Sequence, residues 1–181
     1  MDIEKLAYFF FGNNVIIGPH IRKQLGFLKE VVPPIFKYRA MDDLGCGDGK
    51  ITVLLRDIFL ARRVRGFDIN NGLIRRARNR GIEAEYANLN ESLPSGELAV
   101  LWGVLHHLND SELCLKRVKE NYPLIFIREP VSHNRIKWLE LGNPPKQRQA
   151  ENCVKKHLPD SQIVYCGNNI FVFYVSPEFQ R

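Results

Sequence analysis

The chain is poor in cysteine and has no long apolar run. Four cysteines, Cys46, Cys114, Cys153 and Cys166, occur in 181 residues, and they show neither a CxxC pair nor a Cys/His pair at zinc spacing. That scarcity excludes a disulfide-stapled fold and predicts reduced thiols in a cytoplasmic protein. The longest apolar run near the start, Leu6 to Phe11, falls far short of the ~20 residues that cross a bilayer, so no membrane association is expected. Met1-Asp2-Ile3-Glu4 lacks the basic region of a signal peptide. No repeat, linker or low-complexity tract divides the chain. The 45% hydrophobic and 25% charged fractions are those of an ordinary globular protein, which rules out disorder. The length suits one domain whose core needs no metal or disulfide.

Acidic residues are scarce in one stretch. Between residues 51 and 81, Arg56, Arg62, Arg63, Arg65, Arg75, Arg76, Arg78 and Arg80 stand against Asp57 and Asp68, which accounts for the whole net charge of +6. A basic face favours anionic partners, so RNA or an acidic protein surface is an expected partner class, with a solvated helix surface as the alternative.

What is present is alternation. Short apolar runs at Ala40–Leu44, Val64–Asp68, Ala84–Ala87, Leu98–Trp102 and Pro123–Arg128 read as buried strands. Helical stretches at Gly49–Phe59, Gly72–Arg80 and Asp110–Asn121 separate them. Upstream, Ile3–Phe10 and Pro19–Val32 read as helical, ended by Pro33-Pro34. Two further runs, Gln162–Cys166 and Ile170–Val175, flank a Gly-Asn-Asn turn and predict a hairpin. The expected fold is α/β: a doubly wound seven-stranded sheet, five strands parallel, with a C-terminal antiparallel hairpin. The chain reads as a single domain over 1–181, with a helical cap at 1–39 and a Rossmann-like core at 40–181. In such sheets ligands bind at the carboxyl ends of the strands, so the loops after strands one, two and four are where chemistry is expected.

The loop after the first strand is Asp43-Leu44-Gly45-Cys46-Gly47-Asp48-Gly49-Lys50. Its glycines let a ligand approach the main chain. Lys50 stands where the dinucleotide fingerprint needs a third glycine, and the P-loop spacing is absent. The carboxylates Asp43 and Asp48 suit a ligand with a positive group rather than a polyphosphate.

This loop resembles motif I of the class I S-adenosylmethionine-dependent methyltransferases, in particular the small type 11-like domains. The likeness continues at Gly66-Phe67-Asp68-Ile69-Asn70, at Asn88-Leu89-Asn90-Glu91-Ser92-Leu93-Pro94, at Leu98 to Leu108 and at Phe126-Ile127-Arg128-Glu129-Pro130. The resemblance implies S-adenosylmethionine as cofactor and S-adenosylhomocysteine as product. It implies cofactor contacts from Asp43, Gly45, Cys46, Gly47, Asp48 and Gly49. Asp68 and Ile69 would meet the ribose end, Asn88 and Leu89 the adenine, and Trp102 and Gly103 the methionine end. Asn88 stands where the family has an acidic residue, and Glu97-Leu98 replaces its aspartate before the fourth strand.

The implied reaction is methyl transfer to an oxygen or nitrogen nucleophile by in-line displacement, with His106, His107 and Glu129 as candidate catalytic residues. The sequence names no acceptor: RNA or protein fits the basic stretch, and a small molecule is the alternative. Asn88 and Glu97-Leu98 also motivate a second reading, a non-catalytic cofactor-binding scaffold or a subunit activated by a partner. Tyr8-Phe9-Phe10-Phe11 could line an acceptor pocket or belong to the core. No metal centre is expected, because His20, His106, His107 and His133 have no ligand spacing behind them.

Overall fold

A computed structural model describes residues 17–131 and 147–180. Seven strands form one sheet: β1 (Ala40–Leu44), β2 (Arg63–Asp68), β3 (Glu83–Tyr86), β4 (Leu98–Trp102), β5 (Leu124–Pro130), β6 (Gln162–Tyr165) and β7 (Asn169–Val175). Their order across the sheet is β3-β2-β1-β4-β5-β7-β6. The first five run parallel, while β7 pairs antiparallel with both β5 and β6. The doubly wound sheet with its terminal hairpin is therefore as the alternation predicts. The chain winds outward from β1 to β3 and resumes on the other side of β1 with β4. That reversal opens a crevice at the carboxyl ends of β1 and β4.

Helices cover both faces: α1 (Ile17–Val31), α2 (Lys50–Phe59), α3 (Asn71–Arg78), α4 (Ser111–Asn121) and α5 (Gln147–His157). Each buries a stripe at helical spacing, such as Thr52, Leu55 and Phe59 on α2. Side chains alternate across the central strands, so β4 sends Leu98 and Val100 into one core and Ala99 and Leu101 into the other. The first core holds α1 and α2; the second holds Leu115 and Val118 of α4 and Val154 of α5.

One difference from the sequence reading matters. Helix α5 lies in a stretch to which the sequence reading assigns no element. Its apolar side is reduced to Ala150, Val154 and the following Leu158, all buried, among eleven helical residues that are otherwise mostly polar. The expected helix at Ile3–Phe10, with the aromatic run Tyr8 to Phe11, lies outside the described residues, as does His133.

Candidate functional site

The glycine loop leaves β1 through a left-handed turn, with φ of 87° at Gly45 and 56° at Gly47. These two glycines serve different ends. A Cβ at Gly45 would stand 2.5 Å from Val104 Cγ2, so that glycine lets the loop after β1 close against the loop after β4. A Cβ at Gly47 would meet nothing within 4 Å. Packing does not require glycine there, and the space in front of it is what a ligand on the main chain needs. Gly49, also left-handed, caps α2.

Asp68, at the end of β2, is buried and latches this loop. Its Oδ2 accepts the Gly47 amide at 2.9 Å and its Oδ1 the Asn70 amide at 2.8 Å. Each oxygen keeps a further lone pair, enough for a diol. Beside it Ile69 is 56% exposed, one of the large apolar side chains left uncovered. Asn70 caps α3 by accepting the Gly72 and Leu73 amides.

Asp43 lies beneath the loop. Its Oδ2 accepts from Thr52 Oγ1 at 2.6 Å, while Oδ1 is buried with no hydrogen-bond partner. Burial pushes this carboxyl up to about 7, with the Thr52 bond opposing the rise and Asp68 adding to it. An orphaned buried carboxylate oxygen is costly unless a cation or donor arrives, so the site fits a ligand that carries one.

Other sequence-predicted residues take different parts. Asp48 is engaged by Arg80 at 3.2 Å and Lys50 at 3.6 Å, so its charge is already balanced within the protein. Cys46 packs its thiol towards Gly66, where a Cβ would come within 2.8 Å of the sulfur. Burial, reinforced by Asp43 and Asp68, holds that thiol protonated. Asn88 Oδ1 accepts twice from Asn90, through its amide N–H at 3.1 Å and its Nδ2 at 3.2 Å. Its own Nδ2 donates to Glu91 at 2.7 Å. Both lone pairs of that carbonyl are thereby used, and an adenine amine would have to displace Asn90 to reach it. Leu89 is buried in the second core.

At the carboxyl ends of β4 and β5 the structure brings together Trp102, Gly103, His106, Arg128 and Glu129. The Arg128 guanidinium lies 5.5 Å from the Trp102 ring centre, and its Nε donates to Gln24 Oε1 on α1 at 2.7 Å. A Cβ at Gly103, whose φ is 67°, would stand 2.9 Å from Arg128 Nη1 and 3.9 Å from His106 Cε1. Glu129 is buried, accepts the Leu105 amide at 2.8 Å and sits 2.7 Å from His106 Nδ1. His107 is exposed, its ring centre 4.0 Å from that of His106. Glu97, in place of the family's aspartate, accepts the Ala40 amide at 3.0 Å and pairs with Arg62, which makes it a tie at the far end of β1.

Arg128, Gln24 and His20 are absent from the sequence-level candidates. Arg128 is adjacent to Glu129 on a buried strand, and strand alternation places it on the opposite face, towards α1. His20 is held below its ordinary range by burial and by the Arg128 and Lys23 charges, so the α1 side of this end is cationic.

The family model described as a methyltransferase domain matches residues 43–121. Among solved structures, an S-adenosylmethionine-dependent methyltransferase from Mesorhizobium loti shares 15% identity at a TM-score of 0.64, covering 84% of this chain and 97% of its own. Magnesium protoporphyrin IX methyltransferase from Synechocystis PCC 6803, with bound SAH, shares 10% identity at 0.65, covering 87% and 82%. Mitomycin 7-O-methyltransferase MmcR shares 16% identity at 0.65, covering 84% of this chain and 53% of its own. No curated protein sequence matches the chain. Identities this low establish the fold, and the matched segment runs from Asp43 through β4 to the end of α4. Residues 43–121 thus match a methyltransferase domain, and the described chain has the fold of S-adenosylmethionine-dependent methyltransferases.

Proposed function

We propose that the protein transfers a methyl group from S-adenosylmethionine to an oxygen or nitrogen nucleophile, with no metal in the reaction. The observation that carries this reading is the latch between Asp68 and Gly47, which holds an open main-chain turn beside a buried carboxylate. S-adenosylmethionine, when bound, supplies a methyl group on a positively charged sulfur that leaves as a neutral thioether.

The residues divide the work. Asp68 takes the ribose hydroxyls on its remaining lone pairs, with Ile69 offering an apolar flank. Gly47 admits the ligand to the backbone, and the orphaned oxygen of Asp43 receives its ammonium group. Trp102 and Gly103 border the methionine end. His106, aligned by Glu129, accepts the proton that an oxygen or nitrogen nucleophile must lose. Alignment and exclusion of water then supply most of the acceleration.

Calorimetric titration of the purified chain tests the cofactor assignment. S-adenosylmethionine and S-adenosylhomocysteine are expected to bind, and Asp68→Ala to lose most of that affinity. No binding by the wild type would overturn the reading. Incubation with methyl-labelled cofactor and cell extract then assigns the acceptor by the fraction that takes up label.

A further inference from the structure

Away from the crevice, α4 and α5 bring three metal-ligating side chains together. Among the described residues, Glu112, Cys153 and His157 form a group whose ligand atoms all lie within 4.8 Å of one another. Cys153 and His157 are four residues apart on α5 and therefore share one face. Glu112 reaches them from the first turn of α4, its Oε2 3.1 Å from His157 Nε2. The sequence alone hides this set, because the spacing becomes a ligand pair only once residues 147–157 are helical.

The dimensions suit a small tetrahedral ion. Zinc bonds of ~2.3 Å to sulfur and ~2.0 Å to nitrogen or oxygen put neighbouring ligands roughly 3.2–3.6 Å apart. The His157–Glu112 edge is already that short, and the thiol has to close by roughly an ångström at most. One sulfur, one imidazole nitrogen and one carboxylate oxygen form a borderline-soft set, which favours zinc or cobalt over magnesium or calcium. The Glu112 side chain is 51% exposed and that of His157 17%, so an ion can enter from solvent and keep a water in the fourth position.

We propose that Glu112, Cys153 and His157 bind a zinc ion that clamps α5 onto α4. On binding, the Cys153 S–H bond breaks, its proton passes to solvent and a thiolate–metal bond forms. The clamp fixes the first described helix after β5, the strand whose Glu129 holds His106. Lys156 is a built-in competitor: its Nζ donates to the same Glu112 Oε2 at 2.6 Å, on a side chain 64% exposed and free to swing away. The site is independent of the methyltransferase reading.

The full chain, stripped of metal and kept reduced with a phosphine, is titrated with Co²⁺ and then Zn²⁺. One equivalent of cobalt is expected to give a thiolate-to-metal charge-transfer band and intense tetrahedral bands that zinc bleaches. Zinc should also raise the thermal midpoint in a concentration-dependent way. Cys153→Ser should abolish the charge-transfer band. His157→Gln should weaken affinity by more than the roughly 10- to 100-fold lost with an outer-shell partner. Cys114→Ala should keep the band, and Lys156→Ala should tighten binding. A cobalt complex without the band, a band surviving in Cys153→Ser, or zinc affinity indifferent to His157→Gln would overturn the site. Should Cys153→Ser fail to fold by circular dichroism, Glu112→Gln, at an exposed position, tests the same ligand set: its zinc affinity should fall, and unchanged affinity would overturn the site.

Discussion

Glu129 and His106 are bound as a pair, Oε2 lying 2.7 Å from Nδ1, while the other oxygen of the same carboxylate holds the Leu105 amide at 2.8 Å. The backbone bond fixes the carboxylate and the carboxylate fixes the ring, so that on the proposed reading Nε2 is the nitrogen that takes the acceptor's proton. With the labelled acceptor in hand, His106→Ala is expected to lower turnover by about 10²–10⁴-fold, the usual worth of a positioned base. Cofactor affinity should not change. Glu129→Gln keeps an acceptor for the Leu105 amide but takes the carboxylate away from the ring, so it should show a smaller loss. Single-turnover rates beside calorimetric affinities separate these effects, and wild-type turnover in His106→Ala would remove the proton-transfer role.

The glycine loop yields a second, two-sided expectation. Gly45→Ala forces a methyl group against Val104 and should destabilise by about 1–3 kcal/mol from overpacking, with a further ~1–2 kcal/mol from the left-handed backbone. Val104→Ala should relieve the overpacking share, a coupling that a double-mutant cycle measures. Gly47→Ala meets no atom and should cost only the backbone share, yet it should weaken cofactor binding more than Gly45→Ala does. Thermal melts with and without S-adenosylhomocysteine distinguish the two. Equal affinity losses at both positions would count against Gly47 as the point of ligand approach.

The sheet was legible because strands buried on both faces read as continuous apolar runs, as Leu98 to Trp102 does. The glycine turn and Asp68 were legible because their chemistry is local: a few residues state both the bend and the carboxylate. Side-chain partners far along the chain were not. Nothing near Arg65 shows that it forks onto Asp42, at 2.8 and 2.5 Å, or that the Tyr122 hydroxyl donates to the same carboxylate at 2.8 Å. Asp48 looks like a ligand group in sequence and proves to be held by Arg80, 32 residues away. Helix α5 escaped notice for a different reason: tertiary packing of Ala150, Val154 and Leu158, not propensity, holds a mostly polar segment in place.

On the proposed reading, Asp43 links cofactor binding to pH. Its carboxyl is raised to about 7 by burial, so between about pH 4 and pH 7 the native state holds a proton that the unfolded chain has released. Stability from this group is therefore present at low pH, falls across that window as pH rises and stays lost above it. The loss is on the order of a few kcal/mol. Urea midpoints at about pH 5 and about pH 8 should differ less in Asp43→Asn than in the wild type. Binding of a cofactor ammonium near the lower edge of neutrality should also release a proton, visible as a buffer-dependent calorimetric enthalpy. Identical pH slopes for the variant and the wild type would sink this linkage.

The arginines of residues 51–81 bear on what the protein can bind. Arg56, Arg62, Arg63, Arg65 and Arg80 pair with Asp57, Glu97, Glu83, Asp42 and Asp48. Arg78 donates to the Ala84 carbonyl at 2.7 Å. Arg75 and Arg76 stand exposed on α3, and among the described residues no acidic side chain pairs with them. Five of the eight arginines are thus paired with carboxylates, which leaves the charges of Arg75, Arg76 and Arg78 for phosphates. Should the chain bind tRNA through this stretch, the logarithm of affinity should fall against that of salt with a slope no steeper than about −3. Replacing Arg75 and Arg76 together by alanine should flatten the slope to about −1. Arg63→Ala should leave the slope unchanged and shift stability by roughly 0–1 kcal/mol, as exposed ion pairs do. Filter binding over a salt series measures this, and a steep slope indifferent to Arg75 and Arg76 would place nucleic-acid contact on another surface.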